Sequence, residues 1–482
     1  MSAPLKSILI YGCGLALEYT VAHLRRALPS DITLTIIEDE DSAASDSLYG
    51  PTMPPVAYDF NRSAGIEEPE LVLKTSSSLS YGSHYSNWGR GLDWVQCFNS
   101  PLPIWEGVRF HHYVASAGAP LEVFLPGAMA GRAGKFAHPP EDSEIILSRA
   151  EYGYQYNPSE ICALLRSVTQ PLALNRSKGQ IEHIQTDGDR IINISLKSGA
   201  TVSADLYIDA SGPAGSLISA LNDSFKASYP ISLMTSTAPA SQDGASLRTL
   251  EGHDYGWLSK ASLRGSVVTH TCTHPSDRDV PIAAHDQDSL TEVSRELGRR
   301  DQAWTGNCVA IGQAACGIEP LSAAPFLLLM RDIERLASLI PTSTHPAIES
   351  LEYNRRYLAD YEHAELFHLA FFQTADLPTS SYWQSVQASG VPEKLARKIT
   401  LFESRGDLVS YDLEPFNDED WLTLHFGMSR PVAKKNVFLE ALGEAAIRNR
   451  LLSVAKSIEA LIPKMPPHGV YISKFQQYLK SR

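Results

Sequence analysis

The chain has 482 residues, of which 43% are hydrophobic and 20% charged, and its formal net charge is −14. This composition is typical of a soluble globular protein with a large core, and the acidic balance argues against a nucleic-acid partner. The six cysteines show no C-x-x-C or Cys/His spacing, which excludes an evident zinc site or disulfide framework. The sequence has no signal-peptide pattern and no apolar run of about 20 residues, so we predict a cytoplasmic protein without a membrane partner.

The first elements predict a β-α-β unit. Residues 7–12 form an apolar run typical of a parallel strand covered on both faces, and residues 15–27 carry apolar side chains at helical spacing. Leu34–Ile37 then predicts a second strand that ends at Glu38. Such a unit forms half of many nucleotide-binding folds.

The turn between the first strand and the helix contains Gly12 and Gly14, and Ala16 follows in the first helical turn. This arrangement presents backbone N–H groups to a pyrophosphate, and Glu38 is placed to accept a hydrogen bond from a ribose hydroxyl. Because Leu17 stands at the third glycine position of the motif, the turn alone would equally fit a structural role.

The middle of the chain predicts loops and then strands. Residues 44–120 are rich in Ser, Pro, Gly and aromatic residues, and we expect irregular loops with helical pieces near Glu67–Lys74. Asn157 predicts the N-cap of a helix that has Pro158 in its first turn. Strand patterns follow, and residues 229–275 alternate as expected for an antiparallel layer.

Two further turns suggest a flavin. Asp209-Ala-Ser-Gly212 and Gly312, the latter within a segment that runs on to Gly317, each follow a predicted strand. Together with the first turn they predict bound FAD. We expect a mixed α/β fold in which residues 1–330 form a discontinuous FAD-binding body of Rossmann-like core and antiparallel layer. Residues 331–482 are expected to form a mainly helical sub-domain on the substrate side.

The chain resembles the flavin-dependent tryptophan halogenases almost end to end. The most specific matching stretch is Trp304–Leu321, supported by shorter landmarks in the same order, among them Asp59–Asn61, Asn87-Trp88 and Tyr255–Trp257. In that family, reduced FAD, oxygen and halide yield hypohalous acid, which crosses a tunnel to the organic substrate beside a lysine and a glutamate. A separate flavin reductase supplies FADH2, and a homodimer is possible.

The sequence departs from that family at four functional points. By the resemblance, the lysine position falls on Ser80 and the glutamate position on Ser322. The family's Ser-Thr-Gly at the halide site is Ala323-Ala324-Pro325 here, and proline has no N–H to offer an anion. The family's G-W-x-W-x-I-P stretch keeps only its first two residues, Gly256-Trp257.

We therefore predict an FAD-dependent oxidoreductase of the monooxygenase type, acting on an aromatic or flat small molecule with FADH2 and O₂, and not halogenating. The proton-donor candidates near the lysine position are Tyr81, His84 and Tyr85, with His111 or His112 further along, although each also fits a structural role. Two alternatives stay open: an atypical halogenase with a relocated lysine such as Lys74, and a catalytically idle flavin-binding accessory protein.

Overall fold

The computed structural model describes residues 3–89, 91–172, 174–222, 224–277, 286–374 and 376–481. The strands in chain order are β1 (Ser7–Gly12), β2 (Thr33–Glu38), β3 (Thr52–Met53), β4 (Ser78–Ser80), β5 (Gly82–Trp88), β6 (Leu92–Cys97), β7 (Ile104–Trp105), β8 (Val108–Arg109), β9 (Gly153–Gln155), β10 (Asn175–Lys178), β11 (Ile181–Asp187), β12 (Arg190–Leu196), β13 (Thr201–Val202), β14 (Leu206–Ala210), β15 (Phe225–Asp243), β16 (Leu247–His253), β17 (Gly256–Ser262), β18 (Arg264–Thr273), β19 (Thr291–Arg300), β20 (Trp304–Thr305), β21 (Cys308–Ala310) and β22 (Cys316–Gly317). The α-helices are α1 (Gly14–Ala27), α2 (Ala57–Ala64), α3 (Glu68–Lys74), α4 (Phe110–Ala117), α5 (Pro126–Arg132), α6 (Pro158–Thr169), α7 (Ala324–Ser338), α8 (Ala347–Ala370), α9 (Ser381–Ala388), α10 (Glu393–Arg405), α11 (Asp418–Gly427), α12 (Val437–Glu440), α13 (Glu444–Leu461) and α14 (His468–Lys480). None of the helices in these ranges is long and apolar enough to cross a bilayer.

A six-stranded sheet with the order β10-β2-β1-β14-β21-β20 forms the nucleotide-binding half. Its strands are parallel except for β20, which is antiparallel to β21. Since parallel strands end at the same edge, this edge carries all the turns named from the sequence. Gly12 has φ +149°, and a Cβ there would lie 2.0 Å from the carbonyl oxygen of Ala210, so only glycine lets the ends of β1 and β14 approach this closely.

An eight-stranded sheet with the order β22-β19-β15-β18-β17-β16-β5-β6 forms the second layer. Its neighbouring strands are antiparallel except for the parallel pair β16–β5. Residues paired across strands share one face of a sheet. One row on a single face therefore consists of Tyr85, Leu250, Ser259, His270 and Thr235.

The C-terminal part is helical and packs on the large sheet through aromatic side chains. Trp88, Trp257 and Trp383 are fully buried there, together with Phe371 and Tyr382. Trp88 donates from Nε1 to the carbonyl oxygen of Phe371 over 2.7 Å, so its polar atom is satisfied inside the core. The predicted mixed α/β fold, with a Rossmann-like core, an antiparallel layer and a helical C-terminal part, is confirmed.

Residues 44–120 are more regular than we predicted. The helical piece near Glu67–Lys74 is present as α3, but β4, β5 and β6 also lie in this region and extend the sheets. The prediction of irregular structure was wrong because Gly82–Trp88 consists largely of small and polar residues. Such a strand acquires its stability from the partners β16 and β6 rather than from an apolar pattern of its own.

Candidate functional site

A cavity of about 680 Å³ opens at the carboxyl edge of the parallel sheet and reaches the large sheet; we call it the nucleotide cleft. Its volume lies within the about 300–1,000 Å³ typical of ligand sites. The residues that line it from three sides are Cys13, Gly14 and Glu38 at the ends of β1 and β2, Arg166 on α6 with Lys178 on β10, and Thr235, Thr237 and His270 on β15 and β18.

Two observations test whether the cleft fits the dinucleotide that the sequence implies. The N-terminus of α1 opens on the cleft at Gly14, so it directs backbone N–H groups and a positive dipole end there. Across the cleft, Thr235 Oγ1 is buried and has no hydrogen-bond partner among the described residues. A polar cleft with an unsatisfied hydroxyl opposite a helix N-terminus fits a phosphate-bearing polar ligand.

One carboxylate already stands at that helix N-terminus. Asp46 Oδ1 accepts a hydrogen bond from the backbone N–H of Leu15 over 3.0 Å, and a Cβ on Gly14 would lie 2.3 Å from the Asp46 carboxylate. Desolvation raises the pKa of Asp46 to about 7, against the opposing effect of the Leu15 hydrogen bond, and Glu18 raises it further. A pyrophosphate would meet this carboxylate directly, so Asp46 has to be neutral or displaced when the cleft is filled.

Several predicted cofactor residues already hold partners within the protein. Glu38 lines the cleft, yet its carboxylate pairs with Arg176 and lies 3.5 Å from Arg166 Nη2. Asp209 accepts hydrogen bonds from the backbone N–H groups of Leu217 and Ile218 over 2.7 and 2.9 Å. The Asp209 carboxylate thus shapes its own loop.

Four other predicted cofactor residues, Ala16, Gly212, Gly312 and Gly317, are not among the residues that line the cleft. Ala16 is buried inside α1, and Gly212 begins the short turn after β14. The backbone N–H of Gly312 donates to Asp332 Oδ2 over 2.9 Å, and Gly317 pairs with Gly298 at the edge of the large sheet. The Gly312 turn is therefore held from inside the protein, by a carboxylate on α7.

A second cavity of about 130 Å³ lies near the other end of the same sheet face; we call it the aromatic pocket. Its size is on the order of a cavity that holds one benzene ring, about 150 Å³ in an engineered example. Ser83 and Tyr85 of β5 and Ser322 to Ala324 form part of its wall. The other residues that line it are Thr52, Pro54, Pro55, Val56, Gln96, Cys97, Phe98, Asn99, Glu151, Leu327, Phe367, Pro415, Phe416, Asn417 and Asp420.

The segment between Glu319 and Pro325 reaches the aromatic pocket and begins α7. Ser322 Oγ accepts a hydrogen bond from the backbone N–H of Ala324 over 3.2 Å, and Pro325 follows as the second helical residue. In the first turn of α7, the N–H of Ala324 is therefore already hydrogen-bonded to Ser322, and position 325 has no N–H because it is proline.

Below this segment Glu319 is fully buried in a polar network. Its carboxylate accepts hydrogen bonds from Tyr229 over 2.7 Å, from Tyr382 over 2.5 Å and from Trp257 Nε1. His368 Nε2 lies 3.6 Å from Glu319 Oε2, and desolvation lowers the pKa of that histidine. The network fixes the start of the segment to the large sheet.

Arg248 is the unexpected charge in this region. It is completely buried, its Nη2 donates to Pro320 O over 2.9 Å, and its Nη1 lies 3.3 Å from Leu321 O. No carboxylate of the described residues pairs with it, and desolvation lowers its pKa to about 10. It shares the sheet face with its register partner Ser83, which lines the aromatic pocket, although Arg248 itself lines neither cavity.

The predicted catalytic residues are dispersed. Ser322 lines the aromatic pocket, whereas Ser80 is buried with its hydroxyl 3.1 Å from Gly82 O. Tyr81 donates to Ala137 O, and burial raises its pKa. His84 points away from the pocket and lies 2.9 Å from Asp93 Oδ2.

Sequence reasoning missed Asp46, Arg248, Asn99, Glu151 and Asp420. Asp420 belongs to the capping box of α11, whereas the other four stand in stretches without a local motif. Tertiary packing brings Asp46, Asn99, Glu151 and Asp420 to a cavity and places Arg248 beside Ser83. Of the histidines considered, His111 lies 2.9 Å from Gly406 O through Nε2, and burial lowers its pKa to about 3. That geometry is typical of a structural hydrogen bond.

The chain is similar to proteins of one family. Residues 7–444 match the family model described as tryptophan halogenase. Tryptophan 6-halogenase ThaL of Streptomyces albogriseolus is 23% identical over 84% of this chain and 83% of its own length. Tryptophan 7-halogenase RebH of Lentzea aerocolonigenes is 21% identical over 84% of this chain and 83% of its own length. The structure of BrvH, a flavin-dependent halogenase from Brevundimonas sp. BAL3, superposes with a TM-score of 0.90 at 22% identity, covering 98% of this chain and 99% of BrvH.

Proposed function

The chain belongs to the tryptophan halogenase family, and on that premise we propose that it is an FAD-dependent oxidoreductase which oxidises an aromatic or otherwise flat small molecule without halogenating it. A separate flavin reductase would supply the reduced FAD. When bound, reduced FAD would provide the two electrons that activate O₂, so that one oxygen atom enters the substrate and the other leaves as water.

The proposal rests mainly on the contacts of the segment that follows Leu321. Ser322 is uncharged and its hydroxyl is engaged with the N–H of Ala324, while Pro325 has no N–H. An anion at this turn would therefore lack two backbone donors, and a general base at the position of Ser322 is absent. Ser80, where the family resemblance expects a lysine, is buried among backbone carbonyl groups and offers no cation.

The cleft supports FAD as the cofactor. The N-terminus of α1 would face the pyrophosphate, Lys178 lies on the cleft wall, and Thr235 offers its unsatisfied hydroxyl. Arg166 also lines the cleft, where it pairs with Glu18 and lies 3.5 Å from Glu38. At the other end, the apolar walls of the aromatic pocket would exclude water from the reacting groups. Desolvation raises the pKa of Asp420 to about 7, so its carboxyl can hold or release a proton near neutral pH.

A flavin-free accessory protein is the second candidate function, and Asp46 is the observation that favours it. Its carboxylate stands where a pyrophosphate would bind and already accepts the backbone N–H of Leu15. An atypical halogenase that uses Lys74 has no comparable support. Lys74 Nζ lies 2.7 Å from Glu70 on the outer face of α3, and 53% of its side chain is exposed.

The test is an assay with FAD, a flavin reductase, NADH, oxygen, bromide and an electron-rich phenol that traps electrophilic halogen. We expect FAD uptake, visible as bound yellow flavin after gel filtration, and no brominated phenol. Brominated phenol would show that the protein is an atypical halogenase. Purified protein that takes up no FAD at any pH between 6 and 8 would favour the accessory protein.

A further inference from the structure

The aromatic pocket combines apolar walls with polar side chains. Phe98, Phe367 and Phe416 supply flat apolar surface, with Pro54 and Leu327 completing it. A cavity of about 130 Å³ with such walls suits one flat ring system. The polar atoms around that ring position determine which substituents the ring can carry.

Asn99, Glu151 and Asp420 contribute oxygen acceptors to the pocket lining. Asn99 Oδ1 is buried and accepts no hydrogen bond from the described residues, because the amide Nδ2 is turned to the carbonyl oxygen of Cys97, 3.1 Å away. Glu151 uses one oxygen to accept a hydrogen bond from Ser100 Oγ over 2.9 Å. A buried acceptor without a donor is costly, so a donor from the substrate would stabilise Asn99.

The charged side chains that line the pocket are of one sign. Glu151 and Asp420 line it, and no lysine, arginine or histidine does so within the described residues. Glu419, Glu151 and Glu414 all act to raise the pKa of Asp420, in addition to the larger effect of desolvation. Three cations stand beyond this lining. Arg248 lies beside Ser83 on the same sheet face and donates to Pro320 O over 2.9 Å, whereas Lys398 lies 2.9 Å from Glu414 and Arg109 lies 2.6 Å from Asp418.

From these contacts we infer that the aromatic pocket selects flat aromatic amines, or neutral aromatic compounds rich in N–H donors, and rejects aromatic carboxylates. The inference rests on the proposed function, because it names the substrate class of that same site. A substrate amine or ring N–H would donate to Asn99 Oδ1 and face Glu151 and Asp420. A carboxylate in the same place would be desolvated beside two acidic groups and without a counter-ion in the pocket lining, which is strongly unfavourable.

The test is the binding of three probes with the same indole ring and a two-carbon side chain of different charge: tryptamine, 3-ethylindole and indole-3-propionate. Isothermal titration calorimetry on the FAD-loaded and the FAD-free protein measures binding without any turnover. We expect tryptamine to bind at least about tenfold more tightly than indole-3-propionate, with 3-ethylindole between them.

Two variants examine the charges. In Asp420→Asn the amide oxygen can still accept the hydrogen bond from the backbone N–H of Asn417, so the start of α11 keeps its cap. Glu151→Gln can likewise still accept from Ser100. The double variant should reduce the tryptamine preference to within about threefold. Glu182→Gln, an exposed carboxylate on β11 outside the pocket, is the matched control and should leave the preference unchanged.

Three outcomes would overturn the inference: indole-3-propionate binding as tightly as tryptamine, a preference that persists in the double variant with an unchanged melting temperature, or no binding by any probe. If the double variant has a lower melting temperature, the single variants show whether the change in preference comes from the lost charge or from the lost stability. The probe titrations measure binding without oxygen or halide. If they fail, the bromide assay still tests the proposed function, and if the bromide assay yields brominated phenol, the probe titrations still test the selectivity of the pocket.

Discussion

The nucleotide cleft and the aromatic pocket share one face of the large sheet but are built in different ways. The cleft is formed where parallel strands end, so strand, turn and helix geometry places its main groups at Gly14 and Glu38. The pocket is assembled from separate segments around residues 52–56, 83–85, 96–99, 322–327 and 415–420. The cleft therefore reflects local backbone order, whereas the pocket reflects the packing of side chains that are distant in sequence.

The largest expected effect is on the backbone of the cleft. Gly12→Ala should lower the free energy of unfolding by at least about 4 kcal/mol and abolish FAD uptake, because the added Cβ would meet the Ala210 carbonyl oxygen at 2.0 Å. Chemical denaturation and flavin fluorescence measure the two effects. Gly188→Ala is the control, since Gly188 also has a positive φ but nothing lies within 4 Å of its Cβ position. It should cost only about 1–2 kcal/mol, and equal losses in the two variants would contradict the account.

A smaller loss is expected at the segment that borders the aromatic pocket. Glu319→Leu leaves the donors of Tyr229, Trp257 and Tyr382 without their shared acceptor. Breaking such a buried network should lower the free energy of unfolding by about 3 kcal/mol. Glu459→Leu, on the exposed side of α13, should stay within about 0.5 kcal/mol. A Glu319 variant as stable as the control would show that the segment is held by packing alone.

Asp46→Asn should strengthen FAD binding about tenfold at pH 8 and little at pH 6. The folded pKa of Asp46 is raised to about 7, so the carboxyl is neutral below that pH and anionic above it. Its contribution to stability is accordingly present at low pH and lost as the pH rises through 7. The ionisable groups that face it are Cys13, Glu18, Glu38, Asp39, Tyr49, Tyr156, Cys162, Arg166 and Lys178.

Fluorescence titration of FAD between pH 6 and 8 provides the measurement for Asp46. Affinity in the unaltered protein should fall as the pH rises, and the Asn variant should show a flatter profile. Asp187→Asn, an exposed change at the end of β11, should retain the profile of the unaltered protein. Weaker FAD binding in Asp46→Asn would mean that Asp46 supports the cofactor rather than opposing it.

No gain is expected from restoring the two side chains that the family resemblance implies. Ser80→Lys combined with Ser322→Glu should not produce bromination, because Pro325 still removes a backbone donor at the start of α7. The matched comparison adds Pro325→Gly, which returns that N–H. Brominated phenol from the double variant, measured by mass spectrometry, would refute the argument from the helix start.

The strand-turn pattern beside the cleft could be recognised from the sequence because each turn follows an apolar strand. Of the predicted cofactor residues, Gly14 and Glu38 are the ones that line the cleft. Gly12 and Asp209 lie at the ends of β1 and β14, which are parallel neighbours and therefore end at the same sheet edge. By contrast, β5 lacked an apolar pattern, and the roles of Arg248 and Asp420 depend on which strands and helices they face. Likewise, Asp46 lies in a Ser- and Ala-rich stretch, where nothing indicates that its carboxylate meets α1.

The central claim is that this protein oxidises a flat aromatic compound through reduced FAD without transferring halogen. The most direct measurement is mass spectrometry of the products from tryptamine, reduced FAD, isotopically labelled O₂ and bromide in one reaction. We expect a product that carries one labelled oxygen atom and no bromine isotope pair. A brominated product without labelled oxygen would contradict it.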